Sequence, residues 1–227
     1  MEEGEESGST SGPAPRIKLR IESLSDLVFG LALSIGALIL AGSLPANGSV
    51  LAVNVIEFGF GFLIVIMTWL GYSRIMAVLP IEVPFALVAN IFLLFLVVLE
   101  PYLLYVVLQG SHSDTTANAF SIAYALDVGG MFFMQTLLAN LVLKEARSGE
   151  HGQASLHPVV LRRFKGIARA DAVIGIVFVV STLPFFWINT PIGYLRFDMW
   201  YSSFVILFAL IPVRRRDDRA ASKAPKR

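Results

Sequence analysis

The chain has 227 residues, 56% of them apolar and only 15% charged, and its mean hydropathy is +0.70. Soluble domains average roughly 45–50% apolar and 25% charged residues, so the composition excludes a soluble globular protein and predicts a polytopic membrane protein. The absence of cysteine removes disulfides and thiolate metal sites, while the net charge of +1 conceals an asymmetry between the loops.

Residues 1–15, MEEGEESGSTSGPAP, are acidic, small and proline-containing, and predict a disordered tail. With the flanking basic residues this tail is drawn as 1–19, followed by a six-helix transmembrane domain over 20–213 and a basic tail over 214–227. Crossing a hydrocarbon core takes about 20 helical residues. Apolar segments near that length fall at about 23–42, 51–72, 85–108, 118–143, 168–188 and 197–213. The first has signal-peptide-like flanks in Arg16, Lys18, Arg20 and the AGS at 41–43. However, it carries Asp26 and exceeds a signal core of about 7–15 residues, so it is expected to be retained. Connections are short except for the polar, basic stretch from Lys144 to Gly166.

With six spans the two termini share a side, and every one of the 18 basic residues except Arg196 falls on that side. Basic loops stay in the cytoplasm, so both termini are expected there, in a cell membrane. The tail VRRRDDRAASKAPKR is then a topology signal that touches lipid headgroups, and nucleic acid is not an expected partner.

This topology brings polar residues of three helices to one depth. Arg20, Ser25 and Asp26 open helix 1, Thr68, Trp69, Tyr72 and Ser73 close helix 2, and Asn90 lies about one turn into helix 3. A carboxylate in hydrocarbon is expensive unless paired. The coincidence therefore predicts a polar lock of Arg20, Ser25, Asp26, Trp69 and Asn90. Further along helix 1, Leu31, Ile35 and Leu38 share a face bordered by Ser34, and Gly30 and Gly36 offer close approach. Glu57, Glu100 and Asp127 lie nearer the outer side, as a cation-attracting vestibule or a proton relay. Glu100–Pro101 marks an expected kink, and Asp171 is expected to pair with Arg169. His112, His151 and His157 are all in loops, without metal-ligand spacing, and no phosphate loop or nucleophile elbow occurs. Neither an enzyme nor a cofactor is expected.

RIESLSD followed by VFGLALSIGALIL, residues 20–40, resembles the first helix of the transmembrane protein 175 family, whose signature is an arginine, three residues, then Phe-Ser-Asp. Trp69 stands where the family's second helix carries tryptophan. NIFLLFLVVLEPY, 90–102, is similar to the third helix, and AYALDVGGMFFMQTLLANLVL, 123–143, to the fourth. Helices 5 and 6 agree only in hydropathy. Family members are potassium-permeable leak channels of endosomes and lysosomes in animals and of prokaryotic cell membranes. The resemblance implies that helix 1 lines the pore of a homotetramer, with potassium ions and the lipid bilayer as partners. It implies a constriction at Leu31, further apolar layers at Ile35 and Leu38, a selectivity layer at Ser34, and bonds from the Arg/Ser/Asp cluster to helices 2 and 3. Two departures are visible: Leu24 replaces the signature phenylalanine, and Tyr72 and Ser73 occupy the region of a helix-2 histidine.

TPIGYLRF, 190–197, has a passing likeness to a carbonyl-lined potassium filter, but holds an internal proline and follows no pore helix, so it is not read as one. The residues thus predict an all-α, six-span membrane protein, and the resemblance implies a passive, potassium-preferring leak channel. The alternative is a proton- or ion-coupled transporter using the intramembrane carboxylates.

Overall fold

The computed structural model describes residues 13–42, 46–79, 84–108, 114–148, 158–190 and 193–205. Five helices, α1 (Pro13–Gly42), α2 (Gly48–Met76), α3 (Pro84–Leu108), α4 (Asp114–Ser148) and α5 (Pro158–Ser181), are followed by a 3-10 turn and a two-stranded ribbon. A sixth helix, α6, opens at 195 and is described to 205. The sixth predicted segment, 197–213, is therefore seen only in its first half, and the basic tail 214–227 lies outside the described residues.

The helix starts have local causes. Pro13, Pro84 and Pro158 are each the first residue of a helix, where a missing N–H costs nothing and φ is preset. Asn47 caps α2, its Oδ1 accepting from the Val50 N–H at 2.9 Å. Because α1 starts at Pro13, residues 13–19 extend the helix into what the sequence assigns to a tail. Pro101 lies inside α3 without ending it.

Helix α5 departs most from expectation. It starts at Pro158 and absorbs part of the predicted loop, because Leu161, Phe164 and Ala168 recur on one face while Arg162, Arg163 and Lys165 project outward. It stops at Ser181 instead of 188, since Pro184 withholds a backbone donor and disfavours helix at the residue before it. Among the described residues four helices, α1 to α4, are long and apolar enough to cross a membrane. Helix α5 also carries Lys165, Arg169 and Asp171, ahead of its uninterrupted apolar run.

Helix α4 organises the bundle, packing against α2, α3 and α5, while α1 lies across α2 and α3. Lipid is as apolar as leucine, so helices associate in a membrane through close contact and hydrogen bonds. The α4–α5 seam shows both. A Cβ added to Gly175 would stand 3.2 Å from the Gly129 carbonyl oxygen, and one on Gly129 would stand 3.3 Å from that of Gly175. Nearer the C-terminal end of α4, Thr136 Oγ1 donates to the Phe132 carbonyl of its own helix at 2.9 Å and lies 3.3 Å from that of Ala168. Between α2 and α4 the Gln135 amide donates to the Thr68 carbonyl, and Gly71 leaves the room it needs.

The end of the bundle where α4 begins and α5 stops is held by Arg196, which is fully buried. It donates to the Ser181 carbonyl at 2.7 Å, the Thr182 carbonyl at 3.2 Å, Asn118 Oδ1 at 2.8 Å and the Ser121 hydroxyl. Its guanidinium also lies 5.1 Å from the Trp187 ring. The ends of α4, α5 and α6 therefore meet on one cation, which satisfies carbonyls that α5 leaves open. Asn189–Thr190 pairs antiparallel with Gly193–Tyr194, and Tyr194 stacks on Trp187 at 3.9 Å. The described residues of the filter-like TPIGYLRF thus fall in this ribbon and clamp.

Replacing Gly175 by leucine should force α4 and α5 apart and cost about 1–3 kcal/mol, read as a lower melting temperature of the detergent-purified protein. A Cβ on Gly59 would meet nothing within 4 Å. Gly59→Ala should accordingly melt at or slightly above wild type.

Candidate functional site

Helix α1 is the least buried of the four candidate spans, and its two faces differ sharply. Successive residues turn 100° on an α-helix, so Ser25, Phe29 and Ala32 lie on one side; all three are buried. Phe29 meets Tyr72 with ring centroids 5.5 Å apart, and Gly36, on the same side, lets Phe58 approach. Opposite them runs a bare stripe: Leu24 (57% exposed), Leu27 (68%), Leu31 (52%), Ser34 and Leu38 (70%). Their spacing of three and four residues keeps them in line along the whole helix. Ile35 sits on the stripe's flank, half-buried. Ser34 Oγ donates to the Gly30 carbonyl at 2.8 Å, which commits the hydroxyl proton to the helix and leaves oxygen lone pairs free to accept.

The polar residues at the α1 start and α2 end meet in two bonds. Ser25 Oγ and the Tyr72 hydroxyl are 2.6 Å apart in a buried contact, and Ser25 also lies 2.8 Å from the Ile21 carbonyl. The Trp69 indole donates to Asp26 Oδ1 at 2.9 Å in an exposed position. Asn90 is buried beside Tyr72, with its Oδ1 lacking a partner. Arg20 is exposed and enters neither bond. At the base, Lys18 Nζ donates to the Ala77 carbonyl at 3.2 Å and lies 3.9 Å from Glu22.

Of the five residues in the predicted lock, the structure joins Trp69 to Asp26 directly and places Ser25 and Asn90 around Tyr72. Sequence reasoning put Tyr72 at this depth but left it out of the lock. The available signal was positional: a tyrosine standing where the family carries histidine. Its phenol can bond Ser25 while its ring packs on Phe29. The expected Arg169–Asp171 pair is absent among the described residues. Arg169 is exposed, one carboxylate oxygen of Asp171 is buried without a partner, and the cation acting on Asp171 is Arg74 of α2.

At the end of the bundle away from Ser25 and Asp26, a cleft of about 950 Å³ with its open mouth lies between α1, α2 and α3. Of the three carboxylates singled out in the sequence, Glu57 and Glu100 line it, along with Asn54 and Pro101, and Asp127 does not. Glu100 is buried and accepts from the Tyr124 hydroxyl at 3.2 Å. Asp127 lies one turn beyond Tyr124 on α4, buried, with both carboxylate oxygens unpartnered. No group of three potential metal-ligating side chains occurs among the described residues.

No protein-family profile matches the chain, and no curated protein does. Solved structures do. A variant of the potassium channel MtTMEM175, crystallised with a nanobody fusion protein, aligns over 90% of this chain and 94% of its own, at 18% identity and a TM-score of 0.55. A lysosomal potassium-selective channel TMEM175 homologue from Chamaesiphon minutus aligns over 86% of this chain and 97% of its own, at 17% identity and a TM-score of 0.57. The chain has the fold of these proteins, which are ion channels and not enzymes.

Tyr72→Phe removes the hydroxyl from Ser25 while keeping the ring on Phe29. It should lower stability by about 1 kcal/mol in thermal melts. Asp26→Ala should lower melting less, because the carboxylate is exposed and bonded only to a neutral indole. Asp26→Asn, which keeps an acceptor for Trp69, should melt like wild type.

Proposed function

We propose that this chain, which carries the transmembrane protein 175 channel fold, belongs to that family and works as a potassium-preferring cation leak channel. Six helices cross a cell membrane with both termini in the cytoplasm, and four copies assemble so that their α1 helices surround one passive pore. The observation that carries this reading is the bare stripe of α1. It runs the length of the least-covered helix, opposite an anchored face, and places a hydroxyl between apolar side chains.

The stripe supplies what a leak pathway needs. A ring of Leu31 side chains narrows and dewets the passage, leaving a cation without hydration partners there. Ile35 and Leu38 add apolar layers, and Ser34 presents a ring of oxygens whose lone pairs are free to accept. One hydroxyl ring supplies fewer dehydrating ligands than stacked carbonyls, so potassium is preferred modestly. The polar contacts of Ser25 and Asp26 hold the helix at the rotation that keeps this stripe on the axis. The coupled-transporter alternative is not favoured, because the shared fold is that of channels.

In planar bilayers with opposed potassium and sodium gradients, the purified protein should give unitary currents reversing on the potassium side. Leu31→Asn should raise conductance and reduce potassium preference, since amides restore water and oxygen ligands at the constriction. A lipid-facing Leu31 predicts the reverse: a destabilised protein with no gain in current. Ser34→Ala should keep conduction and lose selectivity. A tetrameric Leu31→Asn variant with wild-type currents would remove the gate from α1.

The topology is tested separately. A single cysteine at Ser222 should react with impermeant maleimide only from the cytoplasmic side, and one at Ser113 only from outside. Labelling of Ser222 in intact cells would invert the arrangement.

A further inference from the structure

We infer that the cytoplasmic ends of α4 and α5 form a binding site for the phosphate headgroup of an anionic phospholipid. The inference rests on the membrane placement of the bundle and not on ion conduction.

A crevice of about 1130 Å³ with its open mouth separates the two helices there. Lys144 and Arg147 line it from α4, one turn apart on one face, and Lys165 and Arg169 line it from α5 in the same way. Thr136 and Asn140 lie deeper along the α4 wall, where Thr136 Oγ1 approaches the Ala168 carbonyl of the opposite helix at 3.3 Å. Among the described residues no acidic side chain lines the crevice, and none of the four cations is held in a salt bridge. Four positive side chains on two facing walls repel one another unless an anion lies between them. Lysine and arginine cost side-chain entropy when ordered, so a cluster without an internal partner points to an external one.

Depth identifies that partner. Lys144 directly follows the apolar run of α4 that ends at Leu143, and Arg169 stands just before the apolar run of α5. The four cations therefore lie at one membrane boundary, the level of the lipid phosphates. Below them Leu143, Ala168 and Ala172 supply an apolar wall that suits an acyl chain and offers nothing to free phosphate. Basic pockets between helices on the cytoplasmic side are the recognised form of such sites. Arg162 and Arg163 also sit on α5 but do not line the crevice, which makes them an internal comparison.

Native mass spectrometry of the detergent-purified full chain tests this, titrating phosphatidylglycerol against phosphatidylcholine. Wild type should hold phosphatidylglycerol preferentially. The double variant Arg147→Gln/Arg169→Gln, with one cation removed from each wall, should weaken that binding by roughly tenfold or more. Arg162→Gln/Arg163→Gln should bind as wild type does. Should the crevice variant fold poorly, Arg147→Lys/Arg169→Lys keeps the charges and should retain the preference. Equal binding of both lipids by wild type would overturn the site. So would an equal loss in the Arg162/Arg163 variant, or displacement of phosphatidylglycerol by millimolar inorganic phosphate, which would make the site one for free anions.

Discussion

The buried bond between Ser25 and Tyr72 decides the rotation of α1, and most of what is distinctive about the molecule depends on that rotation. A helix of leucine, alanine and glycine has little intrinsic reason to turn one face inward when both protein and lipid are apolar. A hydroxyl in hydrocarbon needs a partner, and Tyr72 provides one from α2. With Ser25 turned in, Phe29 and Ala32 follow at four and seven residues and pack, while Leu24, Leu27, Leu31, Ser34 and Leu38 are turned away. One polar contact in the first half of α1 thereby orients a row of side chains several turns long.

The rest of the bundle obeys the same rule. Its tight seams are made where side chains are smallest, at Gly129 and Gly175 and at Gly71 opposite Gln135. Large apolar side chains such as Ile56, Val88, Ile91 and Phe95 point out to lipid. Several buried polar groups are answered by another helix, with Gln135 on the Thr68 carbonyl and Arg196 on the open carbonyls of α5. Asp127 breaks this pattern, with two buried oxygens unanswered. It stands behind the Glu100–Tyr124 contact, away from the stripe on α1. The charged residues of α5 are accommodated differently. Lys165 and Arg169 are both exposed, so neither charge is buried in the bundle.

Much of this was legible in the sequence. Apolar blocks of bilayer length, separated by short connections, determined the helical class and the order of the spans, because no other open structure satisfies its backbone in hydrocarbon. The segregation of Arg196 from every other basic residue determined the expected orientation. Coincident depth brought Ser25, Asp26, Trp69 and Asn90 to one level before any contact was known. Tertiary structure alone decided which of them touch. Depth fixes only one coordinate of a residue, whereas a hydrogen bond requires the helix rotation as well, and rotation is set by packing among all neighbours. That is why Tyr72 takes the place next to Ser25, Arg20 stays outside, and Asp171 faces Arg74 and not the nearby Arg169. For the same reason the crevice that α5 forms with α4 emerges only when two helices are placed side by side.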